Sequence, residues 1–120
     1  METERTCEIS MKTIAFDMDD TLCSGEYKKA KPNQKVIDLI NSLYDDGYSI
    51  IIYTGRGMRT FGNAAKAKSV YEQFTKKQLN DWGVKYHELV LGKIHYDLMI
   101  CDKVLNIKDV KKKADITKLL

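Results

Sequence analysis

Apolar residues in this chain come in short runs that stop at charged or small residues, and the runs switch between two periods. Ile14, Ala15 and Phe16 form a run that ends abruptly at acidic residues, the pattern of a strand buried on both faces. From Pro32 to Asp46, the positions Val36, Ile37, Leu39, Ile40, Leu43 and Tyr44 recur at a helical spacing. Pro32 suits the first turn of that helix and Gly47 the position past its end. Tyr48 to Tyr53 is β-branched and aromatic and runs into Thr54-Gly55-Arg56-Gly57, which predicts a buried strand and a tight turn. Met58 to Lys68 is small and polar, which predicts a mobile loop. A second helix is expected over Ser69 to Trp82, with Val70, Phe74 and Leu79 inward and Gly83 closing it. Glu88 to Leu91 and Asp97 to Cys101 read as two more short strands, and a last helix follows Asn106. Trp82 and Tyr86 are expected to plug the core beneath the turn that joins them.

Apolar strands separated by helical segments imply an α/β fold, a single doubly wound and mostly parallel sheet covered on both faces. The chain has 120 residues, 43% hydrophobic and 31% charged, enough for one core without disulfides or a structural metal. No repeat and no linker rich in Pro, Gly or Ser marks a boundary. Residues 1–10 are polar and without period, so they read as an extension ahead of a domain over 11–120, with Met11 as an alternative start. No apolar run approaches the roughly 20 residues of a bilayer span, and the first ten residues lack the apolar stretch of a secretory signal. The expectation is a cytoplasmic protein with Cys7, Cys23 and Cys101 as reduced thiols. A net charge of +3 does not argue for nucleic acid, because a basic stripe needs clustering as well as excess.

In parallel sheets, ligands bind beyond the carboxyl ends of the strands. The predicted strand ends carry Asp17 with Asp19 and Asp20, Thr54 with Gly55 and Arg56, Gly92 with Lys93, and Asp102. Several carboxylates brought together repel one another and call for a cation. Hard oxygen donors without Cys or His favour Mg²⁺, which usually keeps waters and a substrate phosphate in its shell. A hydroxyl, a glycine amide and a lysine at the same rim suit the oxygens of a transferring phosphoryl group, and an aspartate can serve as its nucleophile. Each feature also has a plainer reading: an Asp cluster as a polar turn, Thr54-Gly55 as turn chemistry, Lys85 or Lys103 in place of Lys93, and Arg56 and Arg59 in surface ion pairs. Asp97 competes with Asp102, but stands at a strand start.

The segment Asp17-Met18-Asp19-Asp20-Thr21 resembles the D-x-D-x-T signature of the haloacid dehalogenase superfamily, and Thr54, Lys93 and Asp102 fall where its later motifs are expected. The resemblance covers about Met11 to Asn106. The stretches YTGRGMRT, LNDWGVKYHEL and LGKIHYDLMICDKVLN are similar to a small subgroup without a cap domain that includes capsule and polysaccharide biosynthesis phosphatases. The resemblance implies a Rossmann-like core and phosphomonoester hydrolysis through an aspartyl phosphate. It makes Asp17 the nucleophile and Asp19 the general acid and base. Thr54 and Lys93 would hold the phosphoryl oxygens, and Asp17, the Asp19 carbonyl and Asp102 would bind Mg²⁺. On their own chemistry, Gly55 and Arg56 are expected to bind substrate, and Arg56 and Arg59 to grip an anion with their guanidinium forks. Too few residues separate Thr21 from Thr54, or Thr54 from Lys93, for an inserted cap. Selection of the substrate then falls to the loop from Gly55 to Lys68 or to a neighbouring copy.

The chain departs from the family pattern at Asp20, where Gly is common, and at Asn106, where a second acid is common; Cys101 before Asp102 reads as a small buried hydrophobe beside the metal. These departures imply weaker metal binding. The expected partner is a small phosphorylated compound such as a sugar phosphate, with neither nucleic acid nor membrane, and an open site carries an expectation of self-association. Two alternatives stay open at this point: a receiver-like signalling domain that accepts a phosphoryl group on aspartate, and a non-catalytic scaffold of the same superfamily.

Overall fold

The computed structural model describes residues 12–94 and 96–120. The expected extension, Met11, Cys7 and His95 lie outside the described residues. Three strands, β1 (Thr13–Asp17), β4 (Ser49–Thr54) and β5 (Glu88–Leu91), form a parallel sheet in the order β1-β4-β5. Ile14 pairs with Ile50 and Phe16 with Ile52, while Thr54 pairs with Leu91. Between β1 and β4 the chain makes a small antiparallel ribbon, β2 (Cys23–Ser24) with β3 (Lys31–Pro32), and then helix α1 (Gln34–Asp45). Between β4 and β5 come the short helix α2 (Met58–Phe61) and the long helix α3 (Ala64–Asp81). A terminal helix α4 (Lys113–Thr117) ends the chain.

The core forms where the inward face of α1 meets the sheet. Val36, Ile37, Ile40 and Leu43 are buried on α1, against Phe16, Met18, Leu22, Ile50, Ile52 and Leu79. Burying one such side chain contributes about 1.5–3 kcal/mol, so this contact anchors the carboxyl ends of β1 and β4 side by side. The Asn33 side chain accepts the Val36 N–H and caps α1, which fixes the helix start at Gln34 and leaves Pro32 outside it, in β3. A capping oxygen satisfies a helical N–H that would otherwise go unpaired, and here it decides the boundary. Trp82 and Tyr86 pack against the core as expected.

Other expectations are corrected. The stretch 58–68 is helical rather than a loop: Gly57 and Gly62, both at positive φ, bracket α2, and Asn63 caps α3 by accepting the Lys66 N–H. The alanines at 64, 65 and 67 are strong helix formers, and reading them as merely small misplaced the start of α3. Val70 is 47% exposed; the inward stripe of α3 runs through Ala67, Thr75 and Leu79, a helical phase that turns Val70 to solvent. Finally, Asp97 to Cys101 forms no strand. Leu98 and Ile100 are 77% and 89% exposed, and the segment pairs with no strand among the described residues, so it has no ladder to hold it extended. Asn106 caps a single 3-10 turn (Ile107–Asp109), and the expected final helix begins only at Lys113.

Candidate active site

Asp17 closes β1, and the chain keeps its extended course for one more step because the Met18 N–H donates to the Tyr53 carbonyl at 2.9 Å. Met18 is fully buried. Alternation along an extended chain therefore turns Asp17 and Asp19 together away from the core, toward the sheet's carboxyl edge. Asp20 follows with φ at 66°, the only residue other than glycine at positive φ among the described residues. Aspartate tolerates this left-handed region better than most residues, so a side chain stands where the family pattern commonly has none.

The next strand delivers Thr54, whose hydroxyl donates to Asp19 Oδ2 at 2.9 Å and accepts the Arg56 N–H at 3.1 Å. Beyond β5, the Lys93 N–H donates to the Thr54 carbonyl at 3.2 Å, and Lys93 Nζ reaches Asp17 Oδ2 at 2.9 Å. Gly55 is required for this approach: a Cβ there would lie 2.8 Å from the Lys93 carbonyl oxygen. Gly92, at φ 100°, would bring a Cβ within 2.8 Å of the Ala64 Cβ. These glycines let the turns after β4 and β5 close on each other. Burial alone would lower the Lys93 pKa, but the hydrogen bond and charge of Asp17, with a smaller contribution from Tyr96, outweigh it and raise the value above that of an ordinary lysine. Lys93 is thus a fixed cation against Asp17. Its rivals are elsewhere: Lys85 pairs with Asp45, and Lys103 is exposed.

Asp17, Asp19, Asp20, Gly55 and Lys93 line an open cavity of about 390 Å³, with Tyr27, Arg59, Ile94 and Tyr96 completing its walls. A larger groove of about 510 Å³ between α1 and residues 107–112 includes Asp20 but neither Asp17, Asp19 nor Lys93. The chemistry is therefore at the smaller opening.

Arg56 does not reach the cavity, which corrects the expectation that it holds substrate. Its side chain is 0% exposed, with Nε on Asp19 Oδ1 at 3.1 Å and Nη1 on Thr75 Oγ1 at 3.2 Å and Gln78 Oε1 at 2.6 Å. The guanidinium also lies 4.9 Å from the Tyr27 ring centre. Arg59 lines the cavity instead. Asp102 is likewise not brought in: it is exposed, it accepts a hydrogen bond from its neighbour Cys101 Sγ, and no described group of three or more His, Cys, Asp or Glu side chains forms a metal site. Cys101 is exposed rather than buried, because the segment before it does not join the sheet.

Cys23, Thr75, Gln78 and Tyr27 support the site, and sequence reasoning did not place them there. Cys23 Sγ lies 3.9 Å from Asp19 Oδ1 and 3.8 Å from Arg56 Nη2. Burial first, and then the charge of Asp19, push its thiol up to about 11, against the opposing pull of Arg56. Tyr27 is raised for the same two reasons. Gln78 Nε2 donates to the Tyr27 carbonyl at 2.6 Å, tying α3 to the turn between β2 and β3. The signal that was available is the polar pair Thr75 and Gln78, three apart, on a helix whose neighbouring inward positions are apolar.

The donor chemistry suits a hard divalent cation. Mg²⁺ is typically held by one or two carboxylates, with waters and phosphate oxygens completing its octahedron. The Asp17 carboxylate, still 42% exposed, is an oxygen donor of that kind on the wall of the opening.

Comparison with known proteins gives a consistent picture. A crystal structure of a Vibrio cholerae protein matches this fold with a TM-score of 0.80 at 27% sequence identity, over 91% of this chain and 96% of that one. No curated protein matches the sequence. A family model described as haloacid dehalogenase-like hydrolase matches residues 14–80, a span that contains Asp17, Asp19, Thr54 and Arg56 but not Lys93 or Asp102. With more than half of the chain matched, and Asp17, Asp19, Thr54 and Lys93 meeting at one sheet edge, the chain belongs to the haloacid dehalogenase-like hydrolases.

Proposed function

We propose that the protein is a Mg²⁺-dependent phosphomonoesterase that uses Asp17 as nucleophile. The observation that carries this reading is the convergence of Asp17, Asp19, Gly55 and Lys93, from three strand ends, on one opening, with Thr54 fully buried behind them and bonded to Asp19. Asp17 attacks phosphorus, the bond to the ester oxygen breaks, and Asp19 gives its proton to the leaving alcohol. Water then gives a proton to Asp19 and attacks the aspartyl phosphate, releasing phosphate and restoring Asp17. Lys93 offers donors to the phosphoryl oxygens as charge builds on them, and the Thr54 hydroxyl would join it only by turning its one proton away from Asp19. The Asp17 carboxylate and the Asp19 carbonyl would hold the cation, which supplies charge neutralisation for the phosphoryl group.

Asp102 enters this reading as a third oxygen ligand, reached by movement of the segment around it. Support comes from the exposed apolar side chains of Leu98, Met99 and Ile100 and from the outer edge of β1, which pairs with no strand among the described residues. An open edge strand and an exposed apolar segment each favour pairing with a further strand. A sugar phosphate or polysaccharide precursor is the substrate class, on the resemblance of the turn and helix segments and on the Tyr27 and Tyr96 rings beside the opening. A receiver-type domain would need its phosphate-accepting aspartate at the central strand end, where β4 carries Thr54 instead.

Phosphate release from a panel of phosphomonoesters, with Mg²⁺ and with chelator, tests the proposal. Wild type is expected to turn over only with the cation, and Asp17→Asn to lose at least about a thousandfold in rate. Mg²⁺-independent turnover, or full activity in Asp17→Asn, overturns it.

A further inference from the structure

Arg56 has no access to a ligand, and yet its surroundings are unusually demanding. A guanidinium with no exposure costs several kcal/mol of desolvation unless its donors are matched. The chain matches them by placing two polar side chains, Thr75 and Gln78, on the inward face of α3 and two aromatic rings, Tyr27 and Phe74, around the cation. Among the described residues its single carboxylate partner is Asp19. Nε points at Oδ1 of that carboxylate while the Thr54 hydroxyl takes Oδ2. Both oxygens are therefore held from behind, and the remaining exposed part of the side chain, 28%, faces the cavity. Replacing a buried ionic group together with its polar partners by well-packed apolar side chains is often neutral or stabilising, so stability alone does not account for the arrangement, and its effect on Asp19 does.

We infer that Arg56 is a positioning residue that aims the Asp19 carboxyl at the leaving-group oxygen, with Gln78 and Thr75 as its supports. The inference rests on the reading of Asp19 as the acid and base. The planar fork explains why arginine is needed: Nε and Nη1 serve the carboxylate and α3 from one rigid group, whereas an ammonium offers one flexible point. Gln78 also holds the Tyr27 carbonyl, so the same brace fixes the β2–β3 turn that walls the cavity.

The test compares kcat/KM on an alkyl phosphate, whose departure requires a proton, with p-nitrophenyl phosphate, whose phenolate leaves without one. Arg56→Lys is expected to lose about 10- to 100-fold on the alkyl ester and less than about threefold on the nitrophenyl ester. Gln78→Leu, a half-buried change that keeps the bond between Arg56 and Asp19, is expected to shift the ratio of the two rates the same way by a smaller factor, and serves if Arg56→Lys does not fold. In an Asp19→Asn background, Arg56→Lys should add no more than about a twofold loss, since residues that act through one group are not additive. An equal loss on both esters in a folded variant, or a full additional loss in the Asp19→Asn background, overturns the inference. If instead Asp19→Asn itself leaves the ratio of the two rates unchanged, the reading of Asp19 falls, and the inference with it.

Discussion

At Cys23 the surroundings of the candidate acid are felt by a second titratable group. The thiol is buried beside Asp19, and its pKa, pushed up to about 11, means that the thiolate is scarce at pH 8. Because the thiolate is the reactive form, iodoacetamide at pH 8 is expected to label exposed Cys101 quickly and Cys23 at least about 100-fold more slowly, read by peptide mapping. Raising the pH toward 11 should speed Cys23 labelling, since deprotonation rises up to that value. Equal labelling of the two at pH 8 would show that Cys23 is not enclosed with Asp19. Asp20 is the other residue whose chemistry is local: its positive φ is a conformation glycine adopts freely, and the carboxylate kept there stands on the cavity wall.

Among the elements, those with a strong hydrophobic period were legible before any coordinates. β1, β4, β5 and α1 follow from their apolar spacing to within two residues, and with them the positions of Asp17, Thr54 and Lys93. Polar residues that work in the interior were not legible. Arg56 read as a surface hand for an anion because the spacing of Thr75 and Gln78 hints at a polar inward patch on α3 without showing which side chain it receives. The same omission set the wrong phase for Val70. Asp97 to Cys101 is the converse case, an apolar run with strand composition that has no partner strand in the structure. If the proposed movement brings Asp102 to the cation, Mg²⁺ should protect this segment. Limited proteolysis between Tyr96 and Leu105 is expected to slow at least about fivefold with saturating Mg²⁺, in line with the linkage between ligand binding and local opening. Cleavage at an unchanged rate would leave Asp102 outside the site.

For the whole molecule, the parallel order β1-β4-β5 gathers three strand ends at one edge, and the buried charge among the described residues, Arg56, lies just past one of them. None of the described helices is long and apolar enough to cross a membrane. The likeness to the Vibrio cholerae structure extends over nearly all of both chains. Everything in the proposed chemistry passes through one covalent event, the transfer of phosphorus to Asp17. The most direct measurement is to acid-quench the enzyme during turnover of a phosphomonoester with Mg²⁺ and locate phosphate on the protein by mass spectrometry. The account predicts a phosphate adduct on Asp17 that disappears with hydroxylamine and is missing in Asp17→Asn. Turnover with Asp17 unmodified, or with the adduct on another residue, would contradict it.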